Sequence, residues 1–196
     1  MQDKRVSPPP APLWARLQGR RTPLVIGVAG DSGSGKSTYT QGIEWLLGSE
    51  RVSQISLDGY HAEDRAARRI SGRSPLDPSA NRLDLAVEHL SALAQGQAAD
   101  IPIYDHRTGC FQGSRHHTPT PVIVVEGLHT LYPEFLALLD FAIYVDTDTP
   151  VKHAWKHARD TRERGYDQAQ AHSEIDRRRE HYTRWIADQE AHADVV

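Results

Sequence analysis

The sequence predicts an α/β fold with a mostly parallel central sheet covered by helices on both faces. Three observations predict it. Short apolar runs rich in β-branched residues recur at Leu24–Ala29, Val122–Val125 and Ala142–Val145. Segments of helical periodicity alternate with them. A glycine-rich loop, Gly30 to Gly35, joins the first run to the first helical pattern. Strands apolar on both sides need cover on both sides, which interleaved helices supply.

The elements follow in order. Residues 1–22 read as a proline-rich tail, with Pro8, Pro9, Pro10 and Pro12 favouring an extended arm, and residues 23–196 as one domain. A helix is expected from about Lys36 to Leu47, with Ile43, Leu46 and Leu47 on its apolar face, then a strand over Gln54–Leu57. Residues 58–82 read as loop with short helical pieces. Asn81 is expected to cap a helix running to about Ala94 and ended by Gly96. Ile101–Tyr104 and a turn at Thr108-Gly109 suggest a hairpin. Leu131–Leu139 reads as a short helical segment. Helices are expected over about Val151–Arg164 and Ala169–Ile186, and Ala193–Val196 reads as the start of a strand, which makes the domain short at this end.

Composition narrows the function classes. Acidic residues number 26 against 23 basic, a net charge of −3, so there is no global basic field for nucleic acid. The single cysteine, Cys110, excludes an internal disulfide framework. No apolar run approaches a membrane span, and the first residues lack the apolar core of a secretory signal. The expectation is a cytoplasmic protein with neither nucleic-acid nor membrane partner. His116-His117 has no convergent partners at metal-ligand spacing.

The chemistry begins at Gly30-Asp31-Ser32-Gly33-Ser34-Gly35-Lys36-Ser37, which satisfies Gly-x-x-x-x-Gly-Lys-Ser/Thr between an apolar strand and a helix. The glycines let several N–H groups face one anion, and the helix N-terminus adds positive potential. Lys36 is placed to reach the β- and γ-phosphates of a nucleoside triphosphate, and the Ser37 hydroxyl to ligate Mg²⁺. The loop alone does not separate kinase from ATPase or GTPase; the acceptor site does.

Two carboxylates stand at expected strand ends, where ligands gather in parallel sheets. Asp58 precedes Gly59-Tyr60-His61 and fits either a base for an attacking hydroxyl or a turn aspartate. Glu126 ends the run Val122–Val125 and suits a Mg²⁺-holding role, a capping acid being the alternative. His129 fits substrate contact or packing equally. Positive charge is mostly arginine, with only four lysines in the chain. Arg65, Arg68 and Arg69 cluster where no long helix needs a charged face, which favours a phosphorylated acceptor.

These residues carry a resemblance. The chain from about Leu24 to Val196 resembles the phosphoribulokinase and uridine kinase family, and within it the plant and cyanobacterial phosphoribulokinases. The likeness rests on Ala29–Thr38, Leu57-Asp58-Gly59-Tyr60-His61, Leu76-Asp77-Pro78, Pro102-Ile103-Tyr104, Val125-Glu126-Gly127-Leu128-His129, and Ala154-Trp155-Lys156 leading into Arg159-Asp160 and Glu163-Arg164-Gly165. It implies a P-loop nucleoside triphosphate hydrolase-like fold and transfer of the γ-phosphoryl of ATP to ribulose 5-phosphate. By resemblance Asp58 is the base and Glu126 a second essential acid, with Lys36 at the phosphates. ATP would be held by Gly30, Asp31, Ser32, Gly33, Ser34, Gly35, Lys36, Ser37, Thr38, Arg159 and Arg164, and Mg²⁺ by Ser37 and Glu126. His61, Arg65, Arg68, Tyr104, His106, His129 and Arg178 fall on the acceptor side.

The resemblance implies more strands beyond position 196 and a homodimer. Departures are Gly59, where the plant-like pattern has a second aspartate, Glu180, where it has proline, and Ser34 and Ser56, where light-regulated enzymes carry cysteines. A kinase for another sugar, a nucleoside or a small hydroxy acid remains an alternative expectation, as does a catalytically weak nucleotide-binding regulatory module.

Overall fold

Strand β1 (Leu24–Ala29) is buried along its whole length, so both of its faces are covered. The computed structural model describes residue 20, residues 22–163 and residues 179–196, with only the backbone of 159–163. β1 sits inside a four-stranded parallel sheet with β2 (Val52–Ser56), β5 (Val122–Gly127) and β6 (Phe141–Tyr144), in the order β2-β5-β1-β6. Its residues alternate between two cores, as a period-two side-chain pattern dictates. Leu24, Ile26 and Val28 pack with Val122 and Val124 against Ile43 and Leu47 of α1 (Lys36–Leu47). Val25 faces the other way, with Ile55, Ile123 and Val125, against Leu90 and Leu93 of α3 (Leu83–Ala94) and Phe135 of α4 (Pro133–Leu136). The mostly parallel sheet with helices on both faces is therefore present.

Beside this sheet, β3 (Ala99–Asp105) and β4 (Cys110–His117) form a separate antiparallel hairpin. It packs on the tight helical turn Leu57–Tyr60 that follows β2. That docking needs a glycine: a Cβ at Gly59 would lie 2.1 Å from the Pro102 carbonyl oxygen. After the turn come α2 (Arg65–Ser71), capped by the Asp64 side chain accepting from Ala67 N–H, and a second short turn at Pro78–Ala80. Helix α5 (Thr149–Glu163) follows β6.

Several boundaries differ from expectation. The second strand starts two residues early and ends before Leu57, because Leu57 and Asp58 enter the tight turn. Regular helix in the 131–139 segment is confined to α4. Asn81 does not cap α3; Arg82 stands at that position without a side-chain cap bond. The Asn81 amide instead donates to the Pro75 and Asp77 carbonyls, and its oxygen faces His61. Residues 164–178 of the two expected C-terminal helices lie outside the described residues; residues 179–185 are helical. Val195 makes a parallel bridge to Ile143, which agrees with a strand beginning there.

The C-terminal segment is fastened by Gln189, which is buried. Its amide donates to the carbonyls of Leu128 (2.7 Å) and Ile186 (3.2 Å), and its oxygen accepts from Leu131 N–H (3.0 Å). Gln189→Leu keeps the volume but strands two backbone groups. It is expected to cost about 2 kcal/mol, read as a lower urea midpoint; an unchanged midpoint contradicts this role.

Candidate active site

The glycine loop leaves β1 at Gly30 and ends at Gly35, which adopts a left-handed conformation (φ 96°) at the start of α1. No side chain caps this helix and its first turn holds no acid. Its N–H groups and positive end therefore face outward without an internal anion. Lys36 is buried and donates from Nζ to the carbonyls of Gly30 (2.9 Å) and Asp31 (2.7 Å). The parallel register sets Val28 beside Glu126 and Ala29 beside Gly127. This brings Ser37 Oγ within 3.4 Å of Glu126 Oε2. Burial pushes the Glu126 carboxyl up, with the Lys36 charge working against it. Two hard oxygen donors, one on a carboxyl that burial leaves short of a cation, fit Mg²⁺, which takes few protein ligands and completes its shell with phosphate and water.

Across the cavity, Asp58 stands between two histidines. His106 Nε2, from the β3–β4 hairpin, lies 2.7 Å from its Oδ2, and His61 Nε2 lies 3.6 Å from its Oδ1. Burial opposes charge on Asp58, but the His106 hydrogen bond and the positive neighbours outweigh it and hold the carboxyl well below its usual range. The Asp58 carboxyl is thus ionised at neutral pH and can accept a hydrogen bond. His61 Nδ1 is 2.7 Å from Asn81 Oδ1, and burial pushes its imidazole down to about 4. The Asn81 amide hydrogens go to Pro75 and Asp77, so its oxygen accepts from His61 Nδ1–H, and the neutral ring donates nothing to Asp58.

The arginines of α2 converge here. Arg68 donates to the Tyr104 hydroxyl (2.8 Å) and to the Glu63 carbonyl (3.0 Å). Arg65 donates to the His106 carbonyl, tying α2 to the hairpin. Tyr104 meets His61, His106 and Phe111 edge to face. Asp58, His61, Arg65, Arg68, Tyr104 and His106 border one cavity of about 1310 Å³.

Of the expected site residues, Ser32, Gly33, Gly35, Lys36, Ser37 and Thr38 line one end of that cavity. Asp58, His61, Arg65, Arg68, Tyr104, His106 and Glu126 line the remainder. Gly30, Asp31 and Ser34 belong to the loop but lie outside the lining. His129 is the residue whose placement departs from substrate contact. It is buried behind the wall, with Nε2 2.8 Å from the Leu76 carbonyl and its ring edge to face with Tyr132. The Arg159 side chain, Arg164 and Arg178 lie outside the described residues.

Sequence reasoning missed Arg115 and His117, which reach the cavity from β4, and Trp155, which reaches it from α5. The signal for the first two was their two-residue spacing on a strand, which sends both side chains to one face. Trp155 stands over the loop, its ring 3.6 Å from where a Cβ on Gly35 would sit.

The His61 shift has a consequence for stability. The folded value is depressed from 6.5 to about 4, so between those values the unfolded chain takes up a proton that the fold excludes. Stability falls as pH drops through this window, by roughly 3 kcal/mol. His61→Asn is expected to flatten that fall in urea titrations above and within the window. An unchanged pH slope contradicts the buried neutral imidazole.

Comparison with known proteins assigns the family. A model of the Phosphoribulokinase / Uridine kinase family matches residues 25–196. The phosphoribulokinase of Synechocystis sp. is 42% identical over 174 residues, covering 88% of this chain and 52% of that protein. A uridine kinase of Chloroflexus aggregans is 36% identical over 148 residues, covering 73% of this chain and 70% of its own. The solved structure of phosphoribulokinase from Rhodobacter spheroides superposes with a TM-score of 0.69 at 23% identity, covering 88% of this chain and 68% of that one. At that identity the superposition speaks for the fold. The chain spans about half the length of the phosphoribulokinases it matches in sequence.

Proposed function

Because the chain belongs to the phosphoribulokinase and uridine kinase family, we propose that it transfers the γ-phosphoryl group of ATP to a hydroxyl of a phosphorylated sugar, ribulose 5-phosphate first among candidates. Residues 23–196 are taken as the kinase domain. The observation that carries the reading is an ionised Asp58, held by His106, facing the same cavity as the phosphate loop. The phosphorylated acceptor is supported by Arg65 and Arg68 at the cavity wall and by the phosphoribulokinase relatives. The reading includes a cytoplasmic location and a homodimer, as in the expectation from sequence. No helix among the described residues is long and apolar enough to cross a membrane.

In this mechanism the loop N–H groups and Lys36 hold the triphosphate. Ser37 and Glu126 would hold Mg²⁺, which supplies charge neutralisation on the phosphates when bound. Asp58 accepts the proton of the acceptor hydroxyl as its oxygen bonds to the γ-phosphorus; the bond to the bridging oxygen breaks and ADP leaves. His106 keeps the carboxylate aimed into the cavity. Arg65 and Arg68 receive the distal phosphate of the acceptor, and fixed positions on both substrates supply the rate. Arg159, Arg164 and Arg178 are kept as nucleotide- and acceptor-side candidates by resemblance.

A second reading, nucleoside phosphorylation, is favoured by the uridine kinase relatives, of which this chain covers a larger share. A coupled ADP-release assay separates the two. It compares ribulose 5-phosphate, ribose 5-phosphate, uridine, glycerate and no acceptor. Turnover highest with ribulose 5-phosphate is expected; turnover only with uridine overturns the sugar-phosphate reading. Asp58→Asn is expected to lower kcat by roughly 10²- to 10⁴-fold without lowering the melting temperature enough to unfold the chain. Undiminished turnover contradicts its role as base. Arg68→Met is expected to raise KM for the phosphorylated acceptor and leave KM for ATP within about twofold, given that its hydrogen bonds go to Tyr104 and Glu63; an increase confined to ATP would reassign it.

A further inference from the structure

Lys152, in the first turn of α5, lies outside every role assigned above. It is only 6% exposed, and a buried ammonium needs an anion. The carboxylate it reaches is Asp31, with Nζ 3.1 Å from Oδ2. The other oxygen of Asp31 accepts from the Ser32 backbone N–H at 2.6 Å. One carboxylate therefore grips the loop backbone with Oδ1 and α5 with Oδ2. The ammonium also lies 4.5 Å from the centroid of the Tyr182 ring, and the Tyr182 hydroxyl is 3.1 Å from that of Tyr144 on β6.

The same region touches the loop twice more. Thr147 Oγ1 donates to the Ser34 carbonyl at 2.7 Å. A Cβ at Gly33 would lie 3.0 Å from Lys156 Cβ. These tethers matter because of Lys36. Its ammonium bonds to the Gly30 and Asp31 carbonyls, and coordination of a phosphate draws it toward the anion and away from them. The loop must then keep its shape through contacts that do not pass through Lys36. The Asp31–Lys152 pair is such a contact, and it is sheltered enough to resist screening by salt.

We propose that Lys152, acting through Asp31, is a positioning residue that holds the phosphate loop in its nucleotide-binding shape and couples it to α5 and Tyr182. This rests on the nucleotide site proposed above. The reach of the pair is specific: Lys152 does not line the cavity, so its effect falls on the loop and not on the acceptor.

The test is equilibrium binding of a fluorescent ADP analogue with Mg²⁺ to the full chain, with folding checked by circular dichroism. Lys152→Met is expected to weaken binding tenfold or more, and Lys152→Arg, which retains the charge, to recover most of it. Asp31→Asn keeps an acceptor for Ser32 N–H and is expected to weaken binding to a similar degree, so it carries the test if Lys152→Met fails to fold. In the double variant the two losses are expected to overlap and not multiply. Full-strength binding by folded Lys152→Met or by Asp31→Asn, failure of Lys152→Arg to recover binding, or losses that multiply, overturns the positioning role. An unsubstituted chain that binds no analogue overturns the nucleotide site itself, a distinguishable failure.

Discussion

The site depends on one register. β1 and β5 pair in parallel with Val28 beside Glu126 and Ala29 beside Gly127. That pairing delivers the glycine loop and the Glu126 carboxylate to the same edge of the sheet, where Ser37 and Glu126 meet. A shift of one residue would turn Glu126 to the opposite face and point its neighbours Val125 and Gly127 the wrong way. The buried side chains oppose such a shift, because Val25, Ile123 and Val125 fill one core while Leu24, Ile26, Val122 and Val124 fill the other. Packing of the centre thus fixes the chemistry at the edge.

The acceptor side is assembled differently, by docking a hairpin onto a turn. Gly59 lets the Pro102 backbone approach closely, and the approach sets His106 against Asp58. The departure noted at Gly59 therefore falls where β3 closes on the turn that carries Asp58. Arg65, bonded to the His106 carbonyl, links the same hairpin to α2. Asp58, the hairpin and α2 are thereby joined by hydrogen bonds through His106.

The parts legible in the sequence are those whose meaning is local. The phosphate loop declares itself through glycine spacing between a strand and a helix, and Glu126 through its place after an unbroken apolar run. Asp58 was ambiguous because the same Asp-Gly pair serves a turn and a base; here it is in a turn and faces the cavity as well. Asn81 looks like a helix cap because a helix pattern begins just after it, whereas its partners, Pro75, Asp77 and His61, are set by the fold of an irregular segment. Arg115 and His117 belong to a strand with no apolar face to mark it, and Lys152 finds Asp31 only when α5 packs on the loop. Long-range polar pairing leaves little trace in periodicity.

Whether Asp58 and the phosphate loop serve one reaction across one cavity is decided by a crystal structure of the chain with a non-hydrolysable ATP analogue, Mg²⁺ and ribulose 5-phosphate. The analogue's phosphates are expected in the loop, and an acceptor hydroxyl is expected to be hydrogen-bonded to Asp58 and aligned with the γ-phosphorus. A bound analogue with Asp58 turned from the acceptor, or an acceptor phosphate remote from Arg65 and Arg68, would contradict that expectation.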